Sequence, residues 1–192
     1  SVEMLAITRR KLHEQRLEDR VSLVQADVRD FSLPGRFRLA FFALSTFMHL
    51  TTQADQLRAL RCCRRHLLPS GLLILDLFYP DPSLWQEADG RLLEGRRWTD
   101  PASGATVQKF YSRTHDPATQ TLHILFTYDE TAPDGYLRRT LVTFDLRYLG
   151  RYEAELLLDK AGFAVEALYG SWQMEPFEAD SPRMIFIARK RE

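Results

Sequence analysis

The most chemically suggestive stretch of this 192-residue chain is an apolar run that ends in an acid and two aromatic rings. Leu72-Leu73-Ile74-Leu75 leads into Asp76, Leu77, Phe78 and Tyr79. The run from Leu72 to Leu77 is too short for a typical helix and does not alternate, which suits a strand buried on both faces of a parallel sheet. Ligands of such sheets bind beyond the carboxyl ends of the strands, so Asp76, Phe78 and Tyr79 are expected to border a substrate pocket. A second role stays open for Asp76, that of capping the strand end. Cys62 and Cys63 are the only thiols and stand next to each other on a predicted helix. Neighbouring helical side chains diverge by about 100°, and two thiols alone make a poor metal site, so both are read as small buried hydrophobes. No metal is expected.

The elements that must position these groups can be read around them. Pro69-Ser70-Gly71 stops a helix and launches the apolar strand, Pro69 because it cannot continue a helix and Gly71 because it tolerates left-handed backbone. Thr52-Gln53-Ala54-Asp55 has the spacing of a capping box, with Asp in place of Glu, and opens the helix that runs to Leu67. Ser1 to Glu18 reads as an amphipathic helix capped by Ser1. Val21–Asp27 alternates as a strand, 28–35 is a loop, and Arg38–Leu44 is a second buried strand. The order helix, strand, loop, strand, helix, strand indicates an α/β fold with parallel strands.

Beyond Pro82 the pattern becomes antiparallel. Leu122, Ile124, Phe126 and Tyr128 share one face of a strand, Val142, Phe144, Leu146 and Tyr148 share one face of the next, and Asp134-Gly135 turns between them. Residues 96–147 therefore form an antiparallel meander, one face buried. Arg151–Ala161 is a helix ended by Gly162 and its hydrophobic neighbour Phe163. Ala164–Tyr169 and Arg183–Arg189 close the sheet as an antiparallel pair. The 26 basic and 26 acidic residues cancel, so nothing global points to nucleic acid or an anionic membrane. No apolar run has the length of a membrane span, no signal peptide is visible, and two reduced cysteines fit the cytoplasm.

The order of these segments resembles the class I S-adenosylmethionine-dependent methyltransferases. The resemblance is carried by Gln25-Ala26-Asp27-Val28, by Phe42-Ala43-Leu44-Ser45-Thr46-Phe47-Met48-His49-Leu50, and by Leu68-Pro69-Ser70-Gly71 with the strand to Asp76. Glu155 to Phe163 and the terminal Ala188-Arg189-Lys190 add to it. It covers the chain apart from the meander and implies one Rossmann-like methyltransferase domain over 1–192, with 96–147 inserted over the active-site side. It implies S-adenosylmethionine as cofactor and a small-molecule methyl acceptor. Carried over by position, Asp27 would accept from the adenine amino group and Val28 would meet the ring edge. Leu44 and Ser45 would line the methionine and methyl side. His49 and Tyr79 are the candidates for a general base. Phe110, Tyr111, Tyr128 and Arg147 are candidate pocket residues of the insertion. Simpler roles also stay open: Asp27 as a turn cap, His49 as a histidine satisfied by a backbone carbonyl.

The resemblance is incomplete. The family's glycine-rich loop and the acid after its second strand would precede Ser1, and Gly35, Gly71 and Gly162 are isolated. Arg38 stands where the family often has an acid. These departures lead to three expectations: an N-terminally truncated sheet, weak cofactor binding by this chain on its own, and self-association through unpaired edges if the missing strands are not supplied. The alternative function is a non-catalytic binding module that works through the meander. The absence of a phosphate-binding loop argues against a nucleotide-dependent enzyme.

Overall fold

Ser1 caps the first helix as expected, its hydroxyl accepting from the Met4 amide at 3.2 Å at the start of α1 (Val2–Glu14). The computed structural model describes residues 1–80 and 82–192. After α1, residues 15–36 contain neither helix nor strand. The strand expected at Val21–Asp27 is therefore absent, and Val21 and Val24 remain exposed. Alternation gives a segment two faces, but it does not supply the neighbouring strand its amides need, and among the described residues none is adjacent.

The first sheet has the order β1-β2-β8-β7. β1 (Phe37–Phe42) runs parallel to β2 (Leu67–Phe78), with Leu39 opposite Leu72 and Phe42 opposite Leu75. β2 pairs antiparallel with β8 (Arg183–Lys190), and β8 with β7 (Phe163–Tyr169). The sheet is thus mixed, because the closing antiparallel pair inserts its second strand directly beside β2. The expectation that β1 is buried also needs correction. It is an edge strand that turns Ala40 and Phe42 inward and leaves Phe37, Leu39 and Phe41 exposed. β2 is the buried centre, with Leu73, Leu75 and Leu77 fully inaccessible.

The Pro69-Ser70-Gly71 segment lies within β2 itself and works differently from its sequence reading. The left-handed residue is Ser70, with φ of 56°, rather than Gly71. Gly71 is required for close approach: a Cβ there would lie 3.0 Å from the Leu68 carbonyl oxygen and 3.3 Å from that of Phe37. This is where the register between β1 and β2 shifts.

Helix α2 (Gln53–His66) starts at Thr52, whose hydroxyl accepts from the Asp55 amide at 3.1 Å. It packs Ala59, Leu60 and Cys63 onto the sheet, where they join Leu73, Leu75, Leu158, Phe163 and Phe186 in one core. Cys62 and Cys63 are free buried thiols. Burial, reinforced by the neighbouring Cys62, pushes the Cys63 thiol up to about 12, far from any reactive thiolate. Helix α4 (Arg151–Lys160) ends at Gly162, whose φ of 87° suits glycine, and delivers Phe163 into the core.

Between β2 and α4 lies a second, wholly antiparallel sheet of four strands. These are β3 (Leu93–Thr99), β4 (Thr106–Asp116), β5 (Thr121–Thr131) and β6 (Leu137–Arg147), paired in chain order. The cross-strand pairs Leu122–Leu146, Ile124–Phe144 and Phe126–Val142 reproduce the apolar face read from the alternation. That face packs against Phe78, against Leu84 and Trp85 of the short helix α3 (Pro82–Glu87), and against Tyr148.

A polar joint fastens the two sheets together. The Arg147 guanidinium, 5% exposed, donates to Gln56 at 3.0 Å, Gln120 at 2.7 Å and Glu153 at 2.6 Å. Gln56, itself fully buried, donates onward to the Leu50 carbonyl at 2.9 Å. Burial raises the Glu153 carboxyl, but the hydrogen bonds from Arg147 and Gln120 outweigh it, so the group lies below its ordinary range.

Candidate active site

The carboxyl ends of β1 and β2 meet at one strained turn. Leu44 and Ser45 both have positive φ, 54° and 60°, and lead into a short 3₁₀ helix (Thr46–His49). Each such residue costs on the order of 1–3 kcal/mol, so the surroundings must enforce it. The enforcing group is Asp76, fully buried at the end of β2, whose Oδ2 accepts from the Leu44 amide at 2.6 Å. Its Oδ1 accepts from Arg183 Nε, also at 2.6 Å. Asp76 is thus held within the fold and does not line the adjoining cleft.

Phe78 joins the turn to that cleft, donating its amide to Ser45 Oγ at 3.0 Å while its ring enters the wall. The cleft, about 460 Å³, is lined by Phe78, Tyr79, Leu122, Phe126 and Phe144, with Glu87 and Arg113 as its charged members. Those two pair at 3.4 Å, and the Lys109 ammonium sits 3.5 Å from the Phe126 ring centre. Tyr79 is fixed by a bond from its amide to the Pro182 carbonyl at 3.1 Å and by edge-on contact with Phe177. His49 is exposed, its ring 5.5 Å from that of Phe144, so it approaches the cleft from the side of the 3₁₀ helix.

The proposed pocket residues of the meander separate by register. Tyr111 lies opposite Phe126 and Tyr128 opposite Lys109, on the cleft-facing side but beyond its lining. Phe110 lies opposite Thr127 and so points to the other face, a position that cannot border the cleft. Arg147 belongs to the joint between the sheets. Conversely, Leu84, Glu87, Arg113, Leu122, Ile124, Phe144 and Leu146 line the cleft. Alternation had identified the apolar members as one face; nothing local in the sequence marks Glu87 and Arg113 as neighbours.

Asp27 lies in an exposed loop on the same chain segment that α2 holds. Its Oδ1 accepts from the Arg29 amide at 2.8 Å, and its Oδ2 accepts from Arg29 Nη2 at 2.6 Å. These bonds from Arg29 hold its carboxyl at about 2, so it is an anion at any physiological pH. A carboxylate has about four acceptor positions, and Arg29 also bonds through Nε, so an incoming amine would share or displace this pair. Val28, Phe31 and Leu33 follow. Phe31 stacks on His66 at 4.6 Å, its amide donates to Cys62 Sγ at 3.3 Å, and the Leu33 amide donates to His66 Nε2 at 3.1 Å. The loop is therefore moored along α2 although its outer side is open.

An ionised acceptor at Asp27 suits an exocyclic amino group, and Leu44, 76% exposed at the strand ends, leaves room for a ligand lying across them. The residues present therefore fit an adenine-bearing cofactor on one side of the turn and a largely apolar acceptor on the other.

Residues 1–71 match the methyltransferase domain family. The chain is 28% identical over 180 residues to a cypemycin N-terminal methyltransferase from Streptomyces sp, covering 94% of this chain and 69% of that protein. Across the curated relatives it matches, the chain spans about 61–69% of their length. Its fold superposes on an S-adenosylmethionine-dependent methyltransferase from Clostridium acetobutylicum with a TM-score of 0.83 at 14% identity, over all of this chain and 73% of the other. A second likeness is to SAM-bound CalS10, an amino pentose methyltransferase from Micromonospora echinaspora, with a TM-score of 0.73 at 22% identity, over 99% and 71%.

Proposed function

We propose, on the premise that this chain is by sequence and fold a relative of the S-adenosylmethionine-dependent methyltransferases, that the full-length protein methylates an amine nitrogen of a small molecule. The observation that carries this reading is the joining of two sites at Phe78, with the Leu44–Ser45 turn on one side and an aromatic cleft on the other. Bound S-adenosylmethionine supplies a methyl group made electrophilic by its sulfonium. Asp27 and the Val28 backbone hold the adenine, while Leu44 and Ser45 border the methionine and methyl side. Phe78, Phe126 and Phe144 exclude water from the acceptor and align its nucleophile with the methyl carbon, the main source of rate in such a transfer.

An amine must be unprotonated to attack. His49, beside Phe144, and Tyr79, at the end of β2, are the groups that would take the released proton. The relatives named as an N-terminal methyltransferase and as an amino-sugar N,N-dimethyltransferase support nitrogen as the atom modified. We assign the protein to the cytoplasm, in keeping with its two free, buried thiols. Among the described residues no helix is long and apolar enough to cross a membrane.

The test is transfer of labelled methyl from S-adenosylmethionine to matched sets of small amines, alcohols and thiols by the full-length protein. Turnover should be confined to amines, and Asp27→Ala should raise the KM for S-adenosylmethionine by about tenfold, the scale of one charge-assisted hydrogen bond. Methylation of alcohols in preference to amines would refute the assignment of the acceptor.

A further inference from the structure

We infer that Asp76, together with Arg183, is a positioning residue that locks the Leu44–Ser45 turn into its left-handed conformation and thereby presents one backbone geometry to the cofactor. The link to the cofactor rests on the functional reading above; the lock itself rests on geometry alone.

Two successive non-glycine residues at positive φ are uncommon, and leucine has no short polar side chain to favour that conformation locally. Packing does not impose it either, because Leu44 is 76% exposed. What holds the turn is hydrogen bonding from β2. The Leu44 amide donates to Asp76 Oδ2 at 2.6 Å, and the Ser45 amide donates to the Asp76 carbonyl at 3.2 Å. Ser45 Oγ accepts from the Phe78 amide at 3.0 Å and from Arg183 Nη2 at 3.4 Å. Arg183 Nε satisfies the other Asp76 oxygen.

The two oxygens of Asp76 thus do different jobs, one on the turn and one on the balancing cation. A buried ion pair contributes little net stability compared with an apolar pair of the same volume, so this one is poorly explained as a stabiliser of the sheet. Its effect is directional. Arg183, at the start of β8, balances the buried carboxylate, and its fork reaches both Asp76 Oδ1 and Ser45 Oγ. The central strand, the last strand and the strained turn therefore move as one unit. Asparagine at position 76 would keep the shape but has a single acceptor oxygen, leaving its amide nitrogen facing either the Leu44 N–H or the Arg183 N–H.

The test compares Asp76→Asn with the double variant Asp76→Asn/Leu44→Gly in the full-length protein. Glycine adopts positive φ without strain, so it should need no lock. Two quantities are measured: amide exchange at residues 44 and 45, and the Kd for S-adenosylhomocysteine by calorimetry. Asp76→Asn should speed exchange and weaken binding by about tenfold, as expected for loss of a hydrogen bond to a charged group. Leu44→Gly in that background should recover most of the affinity without restoring slow exchange. A general structural role for Asp76 would not be rescued by a glycine 32 residues away in sequence. If Asp76→Asn does not stay folded at the assay temperature, Arg183→Lys, which keeps the charge but loses the fork, carries the same comparison.

The inference is overturned if either single variant stays folded and leaves exchange and affinity unchanged, or if the glycine variant rescues nothing. Failure of the parent protein to bind S-adenosylhomocysteine would instead overturn the functional reading, and the exchange comparison would still decide whether the lock exists.

Discussion

The two sheets solve different problems with similar residues. In the first, β2 buries Leu73, Leu75 and Leu77 in one core with α2 and α4, while Leu72 and Ile74 on its other face are half-buried. This corrects the strand read as buried on both faces, and its chemistry appears only where the strand ends. In the second, the apolar side chains of β5 and β6 share one face, and among the described residues Ala88, Leu122 and Ile124 form its buried core. Leu122 and Ile124 also line the cleft, together with Phe126, Phe144 and Leu146 of the same face. The first sheet converts apolar area into rigidity and fixes the positions of Asp76, Phe78 and Ser45. The second leaves part of its apolar face available to a ligand. Mutations should therefore affect stability in the first and acceptor binding in the second.

The largest expected effect is at Leu75, fully buried at the centre of β2. Leu75→Ala should cost about 3 kcal/mol in denaturant unfolding, as large-to-small changes in closed cores do. A cost below about 1 kcal/mol would show that the first sheet is not the rigid one. Next comes the joint. Arg147→Met removes the cation from Gln56, Gln120 and Glu153, and should cost about 2 kcal/mol, less than a fully buried pair because Glu153 is 27% exposed.

The same joint predicts a pH dependence. The folded-state carboxyl of Glu153 lies below its unfolded value, so its contribution is present above about pH 4.5 and is lost as pH falls through the depressed folded value. Glu153→Gln should flatten that acid limb in thermal melts across pH 2–6, scanned as an order-of-magnitude window around ordinary carboxyl values. An unchanged limb would remove Glu153 from the joint.

In the cleft the expected pattern reverses. Phe144→Ala should cost about 1 kcal/mol of stability but raise the acceptor KM by about tenfold, with kcat changed less. Equal losses in stability and acceptor binding would erase the distinction between the sheets. The smallest effect is at the exposed loop. Arg29→Ala should let the Asp27 carboxyl rise from about 2 toward its ordinary 3.8, seen by carboxyl-carbon NMR, without a measurable shift in melting.

What the sequence revealed follows the same division. Features decided within a few residues were legible: the Thr52 cap, the Gly162–Phe163 helix end, the presence of the apolar strand β2 and the paired faces of β5 and β6. Features decided by a partner far along the chain were not. Val21–Asp27 alternates like a strand but has no strand beside it. Gly71 suggests left-handed or open backbone, yet it is Ser70 that is left-handed, while Gly71 answers the close approach of the Leu68 and Phe37 carbonyls. Asp76 and Arg183 are 107 residues apart, so nothing local reveals that the carboxylate is already engaged. The family resemblance alone placed Phe110 at the pocket, and the β4–β5 register turns it away.

The central claim is that the strand ends of the first sheet hold the cofactor while the second sheet holds the acceptor. Amide chemical-shift mapping of the full-length protein during titration with S-adenosylhomocysteine tests this most directly. The account predicts that the largest changes fall on Asp27, Val28, Leu44 and Ser45, with smaller ones at Phe78 and none along the outer edge of β6 at Arg138 and Arg139. Changes concentrated on β4 to β6, with residues 27, 28, 44 and 45 unmoved, would contradict it.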